Sequence, residues 1–355
     1  MAILNKLFPH FVGVDVGSTS VKIVEISRFG KKTSLKNYAH LESATYDGKP
    51  FRAFEKETLF LEGEQSVAAI QACFDEANIQ PQKVVFSLPD FSSFFVTFNL
   101  PAMDNNELAK VINFHASKYV PIPMTEIVLD WKKVGPPPSK SDKNKPLHIL
   151  AVAIPKKTMN QYRQVAEAVG VSNFVLEPEA FSLFRVFAPA DDQPLCIIDF
   201  GAKSTTLSFG DRYGLQSSHS LDVAVEKIVK TIQEKLEIEP EEARALLNSE
   251  GFEAKQPEVA RVLTIAMASL TSAFNESWQS LLKREAISDQ RPRVLMAGGA
   301  ARIPGVQDYL RGSLKTKVES ANPFVALDYP SILEPVVQEI GPSFSVAVGA
   351  SLRNF

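Results

Sequence analysis

A chain of 355 residues with 45% apolar and 22% charged residues can bury a sizeable core and has room for roughly two domains. Its formal net charge of −3 supplies no basic face of the kind that nucleic-acid-binding domains carry, and no run of about 18 apolar residues marks a membrane span. The two cysteines, Cys73 and Cys196, sit in apolar segments without C-x-x-C spacing, which fits buried thiols in a reducing cytoplasm and argues against a metal-binding cysteine motif.

The start, MAILNKLFPHF, has too short an apolar stretch for a signal peptide and reads as an apolar tail packed on the first domain. Residues 11 to 46 alternate apolar and polar and carry turn signals at Phe29-Gly30-Lys31 and Tyr46-Asp47-Gly48, a meander of antiparallel strands. Apolar spacing at Val67, Ile70, Phe74 and Ala77 predicts a helix over 64–79. The strands KVVFSLP and SFFVTFNLP follow, with Phe91, Phe94, Phe95 and Phe98 as their core. Asp104 and Glu107 form a capping box that opens a helix to about Tyr119. TEIVLDWKKV and LHILAVAIP read as two strands joined by the polar, Pro-rich stretch GPPPSKSDKNKP, a mobile hairpin loop. A helix over 156–169 ends at Gly170. Helices are expected at about 222–236, 240–249 and 257–284. A buried strand lies in RVLMAGGAARIPG at 293–305, with a helix starting near Pro304, and a last small-residue helix at 342–352.

Within this order one pattern occurs twice. VGVDVGSTSVK, residues 12 to 22, runs a strand into an aspartate, a glycine and three hydroxyl residues before strand character resumes. LCIIDFGAKSTTLSF, residues 195 to 209, has the same grammar: Asp199-Phe200-Gly201 answers Asp15-Val16-Gly17, and Ser204 and Thr205 roughly answer Ser18 and Thr19. One such hairpin is an ordinary turn. A matched pair suggests a duplicated α/β domain with the two turns facing one cleft. Gly17 and Gly201 let backbone approach a ligand, and the following N–H groups with the hydroxyls of Ser18, Thr19, Ser204 and Thr205 offer donors to phosphate oxygens. Asp15 and Asp199 would repel a bare polyphosphate, so a hard cation, Mg2+ keeping several of its waters, is expected between them. Gly298 and Gly299, closing the strand before Pro304-Gly305, leave room for a flat adenine ring; the segment is neither a dinucleotide fingerprint nor a phosphate loop of the G-x-x-x-x-G-K type.

The order Asp15-x-Gly17, Glu177-Pro178, Asp199-x-Gly201, Gly298-Gly299…Pro304-Gly305 and a C-terminal Gly/Ala helix resembles the actin-like ATPase superfamily. Within it, FHASKYVPIPMTEIVLDW, EPEAFSLFRVF and LMAGGAARIPGVQDYL…VESANPF are similar over nearly the whole chain to the PilM family of type IV pilus assembly proteins, relatives of FtsA. The resemblance implies an actin-like α/β fold. Two duplicated domains, 1–190 and 191–340, would flank a nucleotide cleft, with a small inserted α/β subdomain at about 86–155 and a C-terminal helix, 341–355, returning to the first domain. It implies ATP and Mg2+ as cofactors. Asp15 and Asp199 would hold the metal through water. Gly17, Ser18, Thr19 and Gly201 would bind phosphates, Lys22 would neutralise charge beside them, and Gly298, Gly299 and Arg302 would lie near the adenosine. Glu177 would orient the attacking water. One departure stands out: where PilM-like chains carry a Gly-Gly pair after the second hairpin, SSHSLDVAVEKIV has no glycine, which points to a slow ATPase or a nucleotide-binding pseudo-ATPase.

The partner implied is the cytoplasmic N-terminal tail of a PilN-like single-span protein, which would hold the chain at the cytoplasmic face of the inner membrane. Phe94, Phe95, Tyr119 and Ile122 of the insert are the candidate groove. Two other readings remain open. A sugar kinase of the same superfamily would need an acceptor-side aspartate, for which the insert offers Asp90, Asp104 and Asp130 outside any glycine-rich sugar loop. An FtsA-like filament protein would carry an amphipathic membrane helix after a linker, whereas this sequence stops at ASLRNF.

Overall fold

The computed structural model describes residues 10–46, 48–55, 58–136, 146–284 and 287–354. In the first half, β1 (His10–Val16), β2 (Ser20–Phe29) and β3 (Lys32–Glu42) form the expected meander, followed by a short ribbon of β4 (Arg52–Glu55) and β5 (Thr58–Leu61). Next come α1 (Gly63–Glu76), β6 (Val84–Leu88), β7 (Phe94–Leu100), α2 (Asn105–Ala116), β8 (Ile127–Val134), β9 (Leu147–Pro155), α3 (Lys156–Ala168), β10 (Phe174–Pro178) and α4 (Glu179–Phe187). The second half comprises β11 (Leu195–Phe200), β12 (Thr205–Asp211), β13 (Gly214–Leu221), α5 (Val225–Leu236), α6 (Pro240–Ser249), α7 (Pro257–Lys283), β14 (Arg293–Ala297), α8 (Val306–Leu314), β15 (Val318–Ser320) and α9 (Glu334–Ser351).

The halves are built on one plan. The first sheet has the order β10-β6-β1-β2-β3 and the second β13-β12-β11-β14-β15. In each, the opening strand pairs antiparallel with its hairpin partner on one side and parallel with a later strand on the other. Parallel pairing demands crossover helices, which cover both faces, so β1 and β11 are apolar and buried along almost their whole length instead of alternating. One core gathers β1, β2, β6, α1 and α3 around Phe51, Phe74, Phe86 and Tyr162. Another gathers the second sheet with α5, α7 and α8 around Phe209, Phe274 and Trp278.

The inserted subdomain is a three-stranded antiparallel sheet, β7-β9-β8, closed by α2 over a core of Phe98, Leu108, Ile112 and Ile149. It begins after β6, because β6 is a strand of the first sheet between β1 and β10. The capping box forms as read, the Glu107 N–H donating to Asp104 Oδ1 at 2.9 Å. Helix α9 crosses back onto β1 and α4. The crossing is close enough that a Cβ on Gly349 would collide with the Ser182 carbonyl and one on Gly13 with Ala347.

Two sequence expectations need adjustment. The last helix begins at Glu334, two turns before 342, with Pro342 inside it. Proline lacks the N–H for an interior helix bond, but this one is fully packed and its own carbonyl accepts from the Gly298 N–H at 2.9 Å. The strand expected over 293–305 stops at Ala297, because Gly298 turns to φ +81° and starts a short 3-10 turn over Gly299–Arg302. The expected loop between β8 and β9, the N-terminal tail and Asp47 fall on residues 137–145, 1–9 and 47, outside the described residues.

Candidate functional site

The two opening hairpins are geometric copies. Asp15 pairs with Lys22 across the first and Asp199 with Thr206 across the second. The Gly17 N–H closes its turn on the Ser20 carbonyl at 2.8 Å, and Gly201 does the same on Ser204 at 3.0 Å. A Cβ on either glycine would come within 3.0 Å of that same carbonyl, so the hairpin's own closure already demands glycine there. The register also refines the correspondence: Ser204 answers Ser20, and Lys203 stands where the first hairpin has Thr19.

These turns bring together more charge than the sequence reading anticipated. Asp15 is buried and accepts from Ser87 Oγ at 2.9 Å. Glu179, the first residue of α4, pairs with the buried Arg52 at 2.8 Å and accepts weakly from the Asp90 N–H at 3.4 Å. Asp90 in turn accepts from the Ala180 N–H at 3.3 Å. Asp199 joins the group electrostatically. Burial, then Glu179 and Asp15, push its carboxyl up to about 7, against the pull of Lys22 and Arg52. Burial likewise raises Glu179, which Arg52 opposes and Asp15 reinforces, and raises Asp90, where Glu179 adds to the effect. The Arg52 guanidinium is held more firmly protonated than usual: burial works against its charge, and Tyr162, Glu179 and Asp15 outweigh that. Lys22 lies against the first turn, donating to Ser20 Oγ at 2.5 Å. Gly298 belongs here too, since a Cβ on it would stand 2.7 Å from Asp199 Oδ1, and its positive φ independently favours glycine.

Three residues singled out in the sequence are committed elsewhere. The Thr205 hydroxyl is buried and donates to the Val223 carbonyl at 2.6 Å, so it offers no hydrogen to a ligand. Glu177, 2% exposed, accepts from Ser182 Oγ at 2.8 Å, from Arg185 at 2.6 Å and from Arg353 near the chain's end; its oxygens are taken up in tying β10 to α4 and the C-terminal segment. Arg302 is on the surface in an ion pair with Glu339 of α9 at 2.8 Å. Of the three candidate kinase acids, Asp104 caps α2, Asp130 bonds the Trp131 N–H on an exposed strand, and only Asp90 joins the acidic cluster. Gly17, Ser18, Thr19, Lys22, Gly201, Ser204 and Gly298 line or close the two turns, and Gly299 follows Gly298 with open space where a Cβ would stand.

After the second hairpin the missing glycine pair has a structural counterpart. Helix α5 starts directly behind the turn, its Val225 and Glu226 N–H groups already bonded to the Gly201 and Ala202 carbonyls at 3.3 and 3.0 Å. Those two donors are spent inside the protein.

A family model for the type IV pilus assembly protein PilM matches residues 13–355. The chain belongs to the PilM family. The fold agrees: a solved PilM–PilN type IV pilus biogenesis complex matches with a TM-score of 0.80 at 20% identity, over 97% of this chain and 98% of that one. The ethanolamine utilization protein EutJ from Carboxydothermus hydrogenoformans matches at a TM-score of 0.56 and 12% identity, over 98% and 90% of the two chains. MreB 5 of Spiroplasma citri, solved with AMPPNP bound, matches at 0.52 and 13%, over 93% and 97%. This PilM-family chain therefore has the actin-like fold, in which the paired sheets and hairpins recur, and among its described residues no helix is long and apolar enough to cross a membrane.

Proposed function

We propose that the chain is a nucleotide-binding scaffold of the type IV pilus assembly platform. It would act at the cytoplasmic face of the inner membrane and hold the N-terminal tail of a PilN-like single-span protein. The observation that carries the nucleotide half is the pair of register-matched hairpins with Asp15 and Asp199 at equivalent positions around one acidic cluster.

The residues present fit Mg-ATP. Burial, together with neighbouring carboxylates, raises Asp90, Glu179 and Asp199, with Asp15 among the acids acting on Glu179 and Asp199, as expected of a buried site short of positive charge. Asp90 Oδ2 and two Arg52 nitrogens are buried without a hydrogen-bond partner. Among the described residues no three His, Cys, Asp or Glu side chains are set to ligate a metal directly. Asp15 and Asp199 suit a Mg2+ ion that keeps its waters. The backbone of Ser18, Thr19, Ala202 and Lys203, with Lys22, would face the phosphates, and Gly298 and Gly299 the adenosine. The metal would supply neutralisation of phosphate charge. With Glu177 and the first N–H groups of α5 engaged internally, the reading is of slow turnover: a nucleotide that sets a conformation.

The partner half rests on family membership and on the solved complex, in which PilM is bound to PilN. The insert offers a suitable edge. The β7 side is occupied by the second half, Thr97 Oγ1 donating to the Gln216 carbonyl and Arg284 to the Thr97 carbonyl, both at 2.9 Å. The outer edge of β8 pairs with no strand among the described residues. An extended tail could add there as a strand through main-chain hydrogen bonds. Of the four groove candidates, Phe95 packs on Phe181 and belongs to the core, Phe94 and Ile122 pack on the insert's own cluster, and Tyr119 is 60% exposed.

The test is calorimetric titration of the full chain with Mg-ATP and with a synthetic PilN-type N-terminal tail. Asp15→Ala and Asp199→Ala should each weaken Mg-ATP binding by about tenfold or more, roughly 1.4 kcal/mol. Tyr119→Ala should weaken the tail at unchanged melting temperature. Wild-type affinities in these variants would remove the corresponding half of the proposal.

A further inference from the structure

Arg52 stands at the entrance to β4, 5% exposed at its side chain, among four acids contributed by four separate parts of the chain. Only one corner of its guanidinium is used. Nη1 donates to Glu179 Oε1 at 2.8 Å, while Nε and Nη2 are buried without any acceptor. A guanidinium presents five N–H donors in a flat fork, and the edge formed by Nε and one Nη is the one that grips a carboxylate or phosphate in two parallel bonds. No acid takes up that edge here. The neighbouring Tyr162 hydroxyl is also buried and lies against the same guanidinium. From the opposite side, Lys203 of the second hairpin reaches the Arg52 carbonyl at 3.2 Å. Arg52 is thus touched by both halves of the molecule, by Glu179 at its guanidinium and by Lys203 at its carbonyl.

A purely structural arginine would be expected to spend its donors on the acids around it, since a buried N–H without an acceptor is costly. Asp90 Oδ2 is likewise buried without a donor, yet Arg52 does not satisfy it. The arrangement is a charged fork held ready by one acid with its bidentate edge unspent. An anion arriving between the hairpins offers what that edge lacks.

We infer that Arg52 is a terminal-phosphate sensor, held by Glu179 through Nη1 so that its Nε–Nη2 edge engages the third phosphate of a nucleoside triphosphate and the site distinguishes triphosphate from diphosphate. This rests on the nucleotide reading above and adds to it the residue that reads the phosphate count.

The experiment is calorimetric titration of the full chain with Mg-AMPPNP and with Mg-ADP, for wild type, Arg52→Lys and Glu179→Gln, each checked for folding by its melting curve. Wild type should bind Mg-AMPPNP more tightly than Mg-ADP. Arg52→Lys keeps the charge and loses the fork; its Mg-AMPPNP affinity should fall about tenfold or more while Mg-ADP stays within about twofold. An equal loss for both nucleotides, or no loss, overturns the sensor. Should Arg52→Lys fail to fold, Glu179→Gln decides, since it loosens the hold on the fork and leaves Arg52 in place. Its preference for Mg-AMPPNP over Mg-ADP should fall several-fold, and an unchanged ratio overturns the proposal. A wild type that binds both nucleotides equally removes the sensor alone. A wild type that binds neither removes the nucleotide reading and the sensor with it.

Discussion

Replacing Asp199 by asparagine tests the electrostatics of the cleft most directly, because the change removes one ionisation and almost no volume. Asp199, next to last in β11, is largely removed from solvent and faces Glu179 and Asp15 as repelling acids and Lys22 and Arg52 as attracting cations; the balance lifts its carboxyl from 3.8 to about 7. An acid raised in the fold keeps its proton there over a range in which the unfolded chain has lost it. The folded state then binds more protons, and stability falls as pH rises from about 4 to about 7. The full difference corresponds to at most about 4 kcal/mol. Asp199 retains some contact with solvent, which screens the repulsion and brings the expectation down to about 1–3 kcal/mol. Asp199→Asn should therefore match wild type in urea unfolding near about pH 4 and exceed it by that amount near about pH 8, in metal-free buffer followed by circular dichroism. Millimolar Mg2+ should restore stability to wild type at the higher pH and do little for the variant. Parallel stability curves for the two proteins across the range would refute the reasoning.

Further expectations follow from other contacts. Gly349→Ala puts a Cβ into the Ser182 carbonyl and should force α9 away from α4, with a loss of about 1–3 kcal/mol read as a lowered melting temperature. Glu177→Gln should lower the melting temperature through the Arg185 and Arg353 pairs while leaving Mg-ATP affinity within about twofold; a collapse of nucleotide affinity would return Glu177 to the cleft. Phosphate release should be far below the rate of about 10 per second that is ordinary for enzymes, and a rate of that order would revive the enzyme reading. Ile122→Ala should cost stability along with any tail binding, because Ile122 packs on the insert's core, whereas the exposed Tyr119 can be truncated without that cost.

The duplicated architecture was legible because its cues are local. The alternation read over residues 11–46 located β1 to β3, although the structure buries β1 and most of β2 on both faces; the Asp104–Glu107 box announced α2, and Gly170, at φ +75°, closed α3 where expected. The repeat of D-x-G between two strands located both hairpins, and the structure places them in matching registers. Strands β4, β5, β10, β13 and β15 escaped notice. They are short or polar: Gly214–Leu221 reads GLQSSHSL, and its pairing with β12 is sustained by hydroxyl contacts such as Ser208–Ser218 at 3.0 Å that no hydrophobic period reveals.

The site was half legible, and the dividing line is strand parity. Asp15 and Asp199 could be read because each sits one residue from the end of a regular hairpin strand, where alternation fixes which way a side chain points. Glu177 and Glu179 are two apart, and on an unbroken strand they would share a face. The chain does not stay a strand. Pro178 ends β10, Glu179 opens α4, and the change of period sends the two carboxylates apart: Glu177 to Arg185 and Arg353 beneath α9, Glu179 to Arg52 in the cleft. Arg52 itself carries no local mark, since its place is set by contacts with residues as far away as Glu179 and Lys203. A sequence pattern can name an acid at a turn; which cation it meets is decided by the topology that folds four distant segments into one cluster.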